Sequence, residues 1–108
     1  MFGFRKTLNE LAPADLAAMM KAGSVTLIDV RKPGEFWDGH IAGAINQPLS
    51  RFDPRALPQD GRRIVLYCAA GGRSATALGR CTGGRNDVNT HLAGGISAWR
   101  RAGLPVTR

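Results

Sequence analysis

Long apolar runs, cysteine pairs and acidic side chains are what this chain has least of. No apolar stretch approaches the ~20 residues of a membrane-spanning helix. The amino terminus, MFGFRKTLNEL, carries no apolar leader core behind its charges. A cytoplasmic protein with no membrane segment in this chain is therefore expected. The two cysteines, Cys68 and Cys81, are too few for a disulfide framework. Neither cysteine has a partner at zinc-ligand spacing, and His40 and His91 supply none, so no metal is expected. Phosphate-loop and dinucleotide fingerprints are missing, so no cofactor is expected. Gly72-Arg73-Ser74-Ala75-Thr76 lacks the closing glycine of a nucleophile elbow, which leaves a serine hydrolase unsupported. Acidic residues number 8 against 15 Lys and Arg, a net charge of +7. Residues 1–54 are neutral in sum, whereas residues 55–108 set nine arginines against only Asp60 and Asp87.

What is present fits one α/β domain spanning 1–108, large enough for a single core. Fourteen glycines and six prolines imply many tight turns. Leu16, Met19 and Met20 recur at helical spacing between Pro13 and Gly23, which predicts a helix over 13–22. VTLIDV at 25–30 and IVLYC at 64–68 have the β-branched, apolar character of buried strands. Ala75, Leu78 and Cys81 mark one face of a helix from Ser74 onward. Residues 88–92 form a candidate strand, and 96–102 a last helix before Gly103 and Pro105. Strands alternating with helices predict a parallel sheet covered on both faces, with ligands at the carboxyl ends of its strands.

One such end is occupied by Cys68, followed by Ala69, Ala70, Gly71, Gly72, Arg73 and Ser74. Gly71 and Gly72 tolerate positive φ, which lets successive backbone N–H groups turn toward the sulfur. A helix starting near Arg73 or Ser74 would aim its positive end at the same point. Together these form an anion cup that favours the thiolate, with Arg73 adding a planar donor fork. No histidine base is needed in this arrangement. The alternative is a cysteine that merely packs, since free cysteine is among the most buried residue types.

The loop C-A-A-G-G-R-S resembles the active-site loop of single-domain rhodaneses, the thiosulfate sulfurtransferase-like family. LIDVR at 27–31 with Glu35-Phe36, GHIAGAINQP at 39–48, and LAGGISAWRRAGLPV at 92–106 resemble its other signatures in the family's order. The resemblance covers about residues 7–106. It implies a three-layer fold with a five-stranded parallel sheet flanked by helices on both faces. It also implies a sulfurtransferase that carries sulfane sulfur as a Cys68 persulfide, with residues 69–74 binding the sulfur anion. Thiosulfate or a persulfide would be the donor, and cyanide, a thiol or a protein cysteine the acceptor. Many thiosulfate users of the family place a basic side chain where this chain has Ala69 and Ala70, which makes a protein persulfide an alternative donor. Other readings are a sulfur carrier or adaptor with incidental turnover, and a cysteine phosphatase or arsenate reductase. Related phosphatases carry five residues between cysteine and arginine; this loop has four, leaving less room for a tetrahedral phosphate.

Asp29 and Arg31 match the first signature, with structural ion pairing favoured over a supporting role at the loop. Glu35 is expected at the surface or behind the site, and His40 is expected to stabilise a turn. His91 has no spacing to either cysteine that suggests catalysis. Cys81, about seven residues into its helix and so roughly 10 Å from its start, is expected in the core rather than in a disulfide with Cys68. The arginines form no run longer than two, Arg62-Arg63 and Arg100-Arg101, and lack interleaved aromatics, so no nucleic-acid partner is expected. The excess charge is expected to favour sulfur anions or acidic partners near the loop.

Overall fold

The computed structural model describes residues 9–108. The reading of the extreme amino terminus and the start of the resemblance at residue 7 fall on residues outside that range. The elements run β1 (Asn9–Leu11), α1 (Pro13–Lys21), β2 (Val25–Asp29), α2 (Pro33–Asp38), β3 (Ile45–Asn46), β4 (Arg63–Tyr67), α3 (Gly72–Cys81), β5 (Thr90–Leu92) and α4 (Gly95–Arg101). Two short 3-10 turns, Leu49–Arg51 and Pro54–Ala56, lie between β3 and β4. The five strands are all parallel and ordered β1-β5-β4-β2-β3, as the expected α/β architecture requires.

Side chains of β2 and β4 alternate between the two faces of the sheet, following the period of two along a strand. Ile28, Ile64 and Leu66, continued by Val30 and Cys68, pack against Ala77, Leu78 and Cys81 of α3 and against Phe52 and Leu57. Leu27, Val65 and Tyr67 face the other way, onto Leu16 of α1 and onto Ile96 and Trp99 of α4. Cys81 is fully buried in the α3-side cluster, where burial pushes its thiol up and makes it a poor nucleophile.

Most helix ends fall within a residue or two of expectation, with two differences near the loop. α3 starts at Gly72 rather than near Arg73 or Ser74, and β4 ends at Tyr67, leaving Cys68 as the first loop residue. Three elements without a sequence forecast are β1, β3 and α2. Two or three residues carry no period, so β1 and β3 exist through their pairing alone. The strand expected over 88–92 runs only over Thr90–Leu92, and the segment before it holds Arg85. Its buried guanidinium donates to the carbonyls of Pro54, Leu57 and Pro58 and to the Asp87 carboxylate, tying the segment before β5 to the 3-10 region.

Asp29 and Arg31 form a buried ion pair of 2.7 Å at the end of β2. Arg31 also donates to the Gly39 carbonyl and lies over the Tyr67 ring, while the Asp29 carboxylate accepts from the Arg31 amide. The pair braces the β2–α2 turn, the structural role favoured from sequence. Asp29→Ala would leave the guanidinium buried without its counter-charge, at a cost of about 3–5 kcal/mol. A lowered urea midpoint with unchanged slope checks this.

Candidate active site

Cys68 sits at the carboxyl end of β4, the middle strand of the sheet, and is 1% exposed. Its sulfur accepts from the Gly71 amide at 3.1 Å and from the Ser74 amide at 3.4 Å. The Ser74 hydroxyl lies 3.6 Å away. Gly71, at φ 120°, is the loop residue that needs glycine. Gly72, expected to share that role, has no positive φ and instead opens α3. The helix therefore starts closer to the sulfur than expected, and its positive end adds to the amides.

The amides point inward because the carbonyls are held outward. The Ile96 amide donates to the Cys68 carbonyl at 2.9 Å and the Ser97 amide to the Ala69 carbonyl at 3.0 Å. Both donors belong to the first turn of α4, whose own amides lack partners within the helix. Gly95, at φ 62°, allows this approach: a β-carbon there would stand 2.5 Å from both carbonyl oxygens. Gly95 of the carboxyl-terminal signature thus packs directly on the cysteine loop, a contact that sequence reading missed. Its visible signal was two adjacent glycines immediately before a helix.

Burial opposes ionisation of Cys68, but the Ser74 amide and hydroxyl and the Gly71 and Ala70 amides outweigh it. The thiol is left below its ordinary range. Ala69 contributes a carbonyl turned away from the sulfur, Ala70 an amide toward it, and Gly72 the start of α3.

Arg73 is not the free donor fork expected. Its Nη1 and Nη2 donate to Glu35 at 2.7 and 3.0 Å, a bidentate pair. That pairing holds the Glu35 carboxyl down to about 2, so the fork stays occupied through the ordinary acid range. Arg73 fixes the loop to α2 while keeping positive charge beside the sulfur. Lys32, Arg73 and Arg80 line a recess together with Val30, Pro48 and Leu49.

His40 stacks on Phe36 at 3.7 Å and bonds its carbonyl, which makes it a turn residue as expected. His91 is different. Its Nδ1 lies 2.7 Å from the Ser74 hydroxyl, which in turn touches Cys68. Linear spacing concealed this because β5 returns beside β4 only in the folded sheet. Among the described residues, no group of three His, Cys, Asp or Glu is placed to hold a metal ion. No described helix is long and apolar enough to cross a membrane.

A parallel five-stranded sheet with an amide-lined cysteine cup beyond its middle strand defines a cysteine-loop α/β domain. The rhodanese-like domain family model matches residues 12–102, and the chain belongs to that family. Thiosulfate sulfurtransferase GlpE of Shewanella oneidensis is 35% identical over 100 residues, covering 89% of this chain and 96% of that protein. A rhodanese-related protein from Thermoplasma volcanium superposes with TM-score 0.78 at 34% identity, over 92% of this chain and 97% of the other. A protein of unknown function from Rhodopseudomonas palustris, described as a possible tyrosine phosphatase, superposes with TM-score 0.79 at 35% identity, over 93% and 85%. The chain spans about half the length of other curated relatives, 55% of one and 42% of another.

Proposed function

We propose that this chain is a sulfurtransferase domain in which Cys68 carries sulfane sulfur between a donor and a thiophilic acceptor. The Cys68 thiolate attacks the outer sulfur of thiosulfate or of a persulfide. A new S–S bond forms at Cys68, and the old S–S bond breaks with its electron pair leaving on sulfite or on the donor thiolate. Cyanide, a thiol or a protein cysteine then attacks the terminal sulfur and regenerates the Cys68 thiolate. The observation that carries this reading is the amide cup of Gly71 and Ser74 around a sulfur held below its usual pKa. Persulfide and thiolate are both terminal anions, so the same donors suit both.

Loop size separates this from the phosphatase reading suggested by the Rhodopseudomonas protein's description. Four residues lie between Cys68 and Arg73, and the Arg73 fork that a phosphate would use is taken by Glu35. Assaying thiocyanate release from thiosulfate and cyanide beside aryl-phosphate hydrolysis tests the choice. Sulfur transfer without phosphate release is expected, and turnover of the phosphate ester alone would overturn it. The carrier reading differs only in the acceptor: a protein cysteine taken up much faster than cyanide or small thiols would favour it.

The cations flanking the recess supply a second expectation. The donor KM for thiosulfate should rise about twofold or more between about 0.05 and about 0.5 M salt, because screening weakens attraction of a small dianion. A salt-independent KM would remove the charge of residues 55–108 from donor binding.

A further inference from the structure

The buried Cys68 sulfur is the first member of a chain of polar contacts that ends in water. The Ser74 hydroxyl follows at 3.6 Å, then His91 Nδ1 at 2.7 Å from that hydroxyl. On the far side of the ring, His91 Nε2 stands 3.2 Å from the Glu10 carboxylate. Three elements assemble the chain: α3 brings Ser74, β5 brings His91, and β1 brings Glu10 directly opposite His91 in the parallel ladder. Exposure runs one way along it. Cys68 is 1% exposed, Ser74 0% and His91 3%, while the Glu10 side chain is 61% exposed.

We propose that His91 accepts the Cys68 thiol proton through the Ser74 hydroxyl, and that Glu10 holds the imidazolium so formed. This goes beyond sulfur transfer itself, although it rests on Cys68 being the reacting group. Proton counting favours it. In the thiol state Sγ–H donates to Ser74 Oγ, the Ser74 hydroxyl donates to His91 Nδ1 at 2.7 Å in preference to the Gly71 carbonyl at 3.2 Å, and His91 Nε2–H donates to Glu10. Two short shifts then suffice: the Sγ–H bond breaks as a new O–H bond forms, and the old O–H bond breaks as Nδ1–H forms. The result is a thiolate accepting from Ser74, an intact hydroxyl, and an imidazolium bonded to a carboxylate. Every hydrogen bond of the chain survives with its direction reversed up to the ring, and no oxidant or further reactant enters. The same path lets a buried thiol lose its proton without opening the loop.

The groups facing the ring are few. Glu10 of β1 is the charged one in contact. Cys68, beyond β4, is reached through Ser74, and α3 presents the Ser74 hydroxyl while its Arg73 is turned to Glu35. Arg63 of β4 is bonded to Thr90 and Leu66 is the ladder neighbour, so β4 brings no further charge to the ring. His91 is therefore a positioning residue for the proton, acting on the sulfur only through Ser74.

Two readouts decide the matter, and neither involves sulfur loading. The first is the pH dependence of Cys68 alkylation by iodoacetamide, followed on the Cys68 peptide. His91→Gln keeps a side chain able to bond Ser74 but unable to take a proton. It should move the alkylation midpoint up by about one pH unit and slow the reaction near neutrality about tenfold. Glu10→Gln should shift it the same way by about threefold in rate. The second readout uses the unaltered protein, should His91→Gln not fold. Capping Cys68 with methyl methanethiosulfonate removes the thiolate, so the NMR titration midpoint of His91 should fall by about one unit. A His91 that only props Ser74 would leave the alkylation profile of His91→Gln unchanged and the His91 midpoint unmoved by capping; either result overturns the proposal. A protein that shows both shifts yet takes no sulfur from any donor would instead refute the sulfurtransferase reading and leave the relay standing.

Discussion

Cys68→Ser is expected to abolish thiocyanate formation from thiosulfate and cyanide, a loss on the order of 10³-fold or more, while the protein stays folded. The substitution changes one atom in a site where the Gly71 and Ser74 amides can bond oxygen as they bond sulfur. A serine hydroxyl ionises far above the range in which those amides and the α3 terminus can make it an anion. It also cannot hold a second sulfur as a stable terminal anion. Because β4, α3 and the packing of Ile64 and Leu66 are untouched, thermal unfolding should shift little. Turnover that survives the substitution would place the chemistry elsewhere, with Cys81 the remaining thiol.

Gly95→Ala is expected to reduce Cys68 reactivity about a hundredfold, although residue 95 touches neither the sulfur nor a substrate. A β-carbon there would lie 2.5 Å from the Cys68 and Ala69 carbonyl oxygens and 2.6 Å from the Ala69 carbonyl carbon. These are backbone atoms with nowhere to go. α4 must withdraw, which breaks the Ile96 and Ser97 bonds to the two carbonyls. Peptide planes so released turn their amides away from the sulfur, and burial then raises the thiol unopposed. The left-handed backbone at residue 95 adds roughly 1–2 kcal/mol of strain for any side chain. Gly23→Ala is the matching control: φ is positive there too, at 72°, but nothing lies within 4 Å of the added carbon. It should lower stability by about 1 kcal/mol and leave the alkylation rate of Cys68 unchanged. Equal rates for the two variants would show that α4 does not hold the cup in shape.

The strand ending in Cys68, the glycine turn and the following helix were legible because each is local. VTLIDV and IVLYC carry their own apolar character, and Gly71 sits where positive φ is needed. What stayed hidden is long-range. The pinning of the loop by Ile96 and Ser97 joins residues almost thirty positions apart, and only the packing of α4 on the sheet creates it. Arg73 looked like a free anion ligand until α2 brought Glu35 against it. His91 looked unconnected because its meeting with Ser74 depends on β5 pairing with β4, a strand of three residues without its own period. Arg85 is the same lesson in the core, a charged side chain whose carbonyl partners lie some thirty residues upstream. Local chemistry pointed to Cys68, and tertiary contact determines what surrounds its sulfur.

The central claim, that Cys68 is the sulfur carrier, is tested most directly by mass spectrometry of the thiosulfate-treated protein with peptide-level assignment. The proposed account predicts one added sulfur on the Cys68 peptide, released when cyanide is supplied, and none on the Cys81 peptide. An unmodified Cys68 peptide with thiosulfate and with persulfide donors alike, or added sulfur found on Cys81 instead, would contradict it.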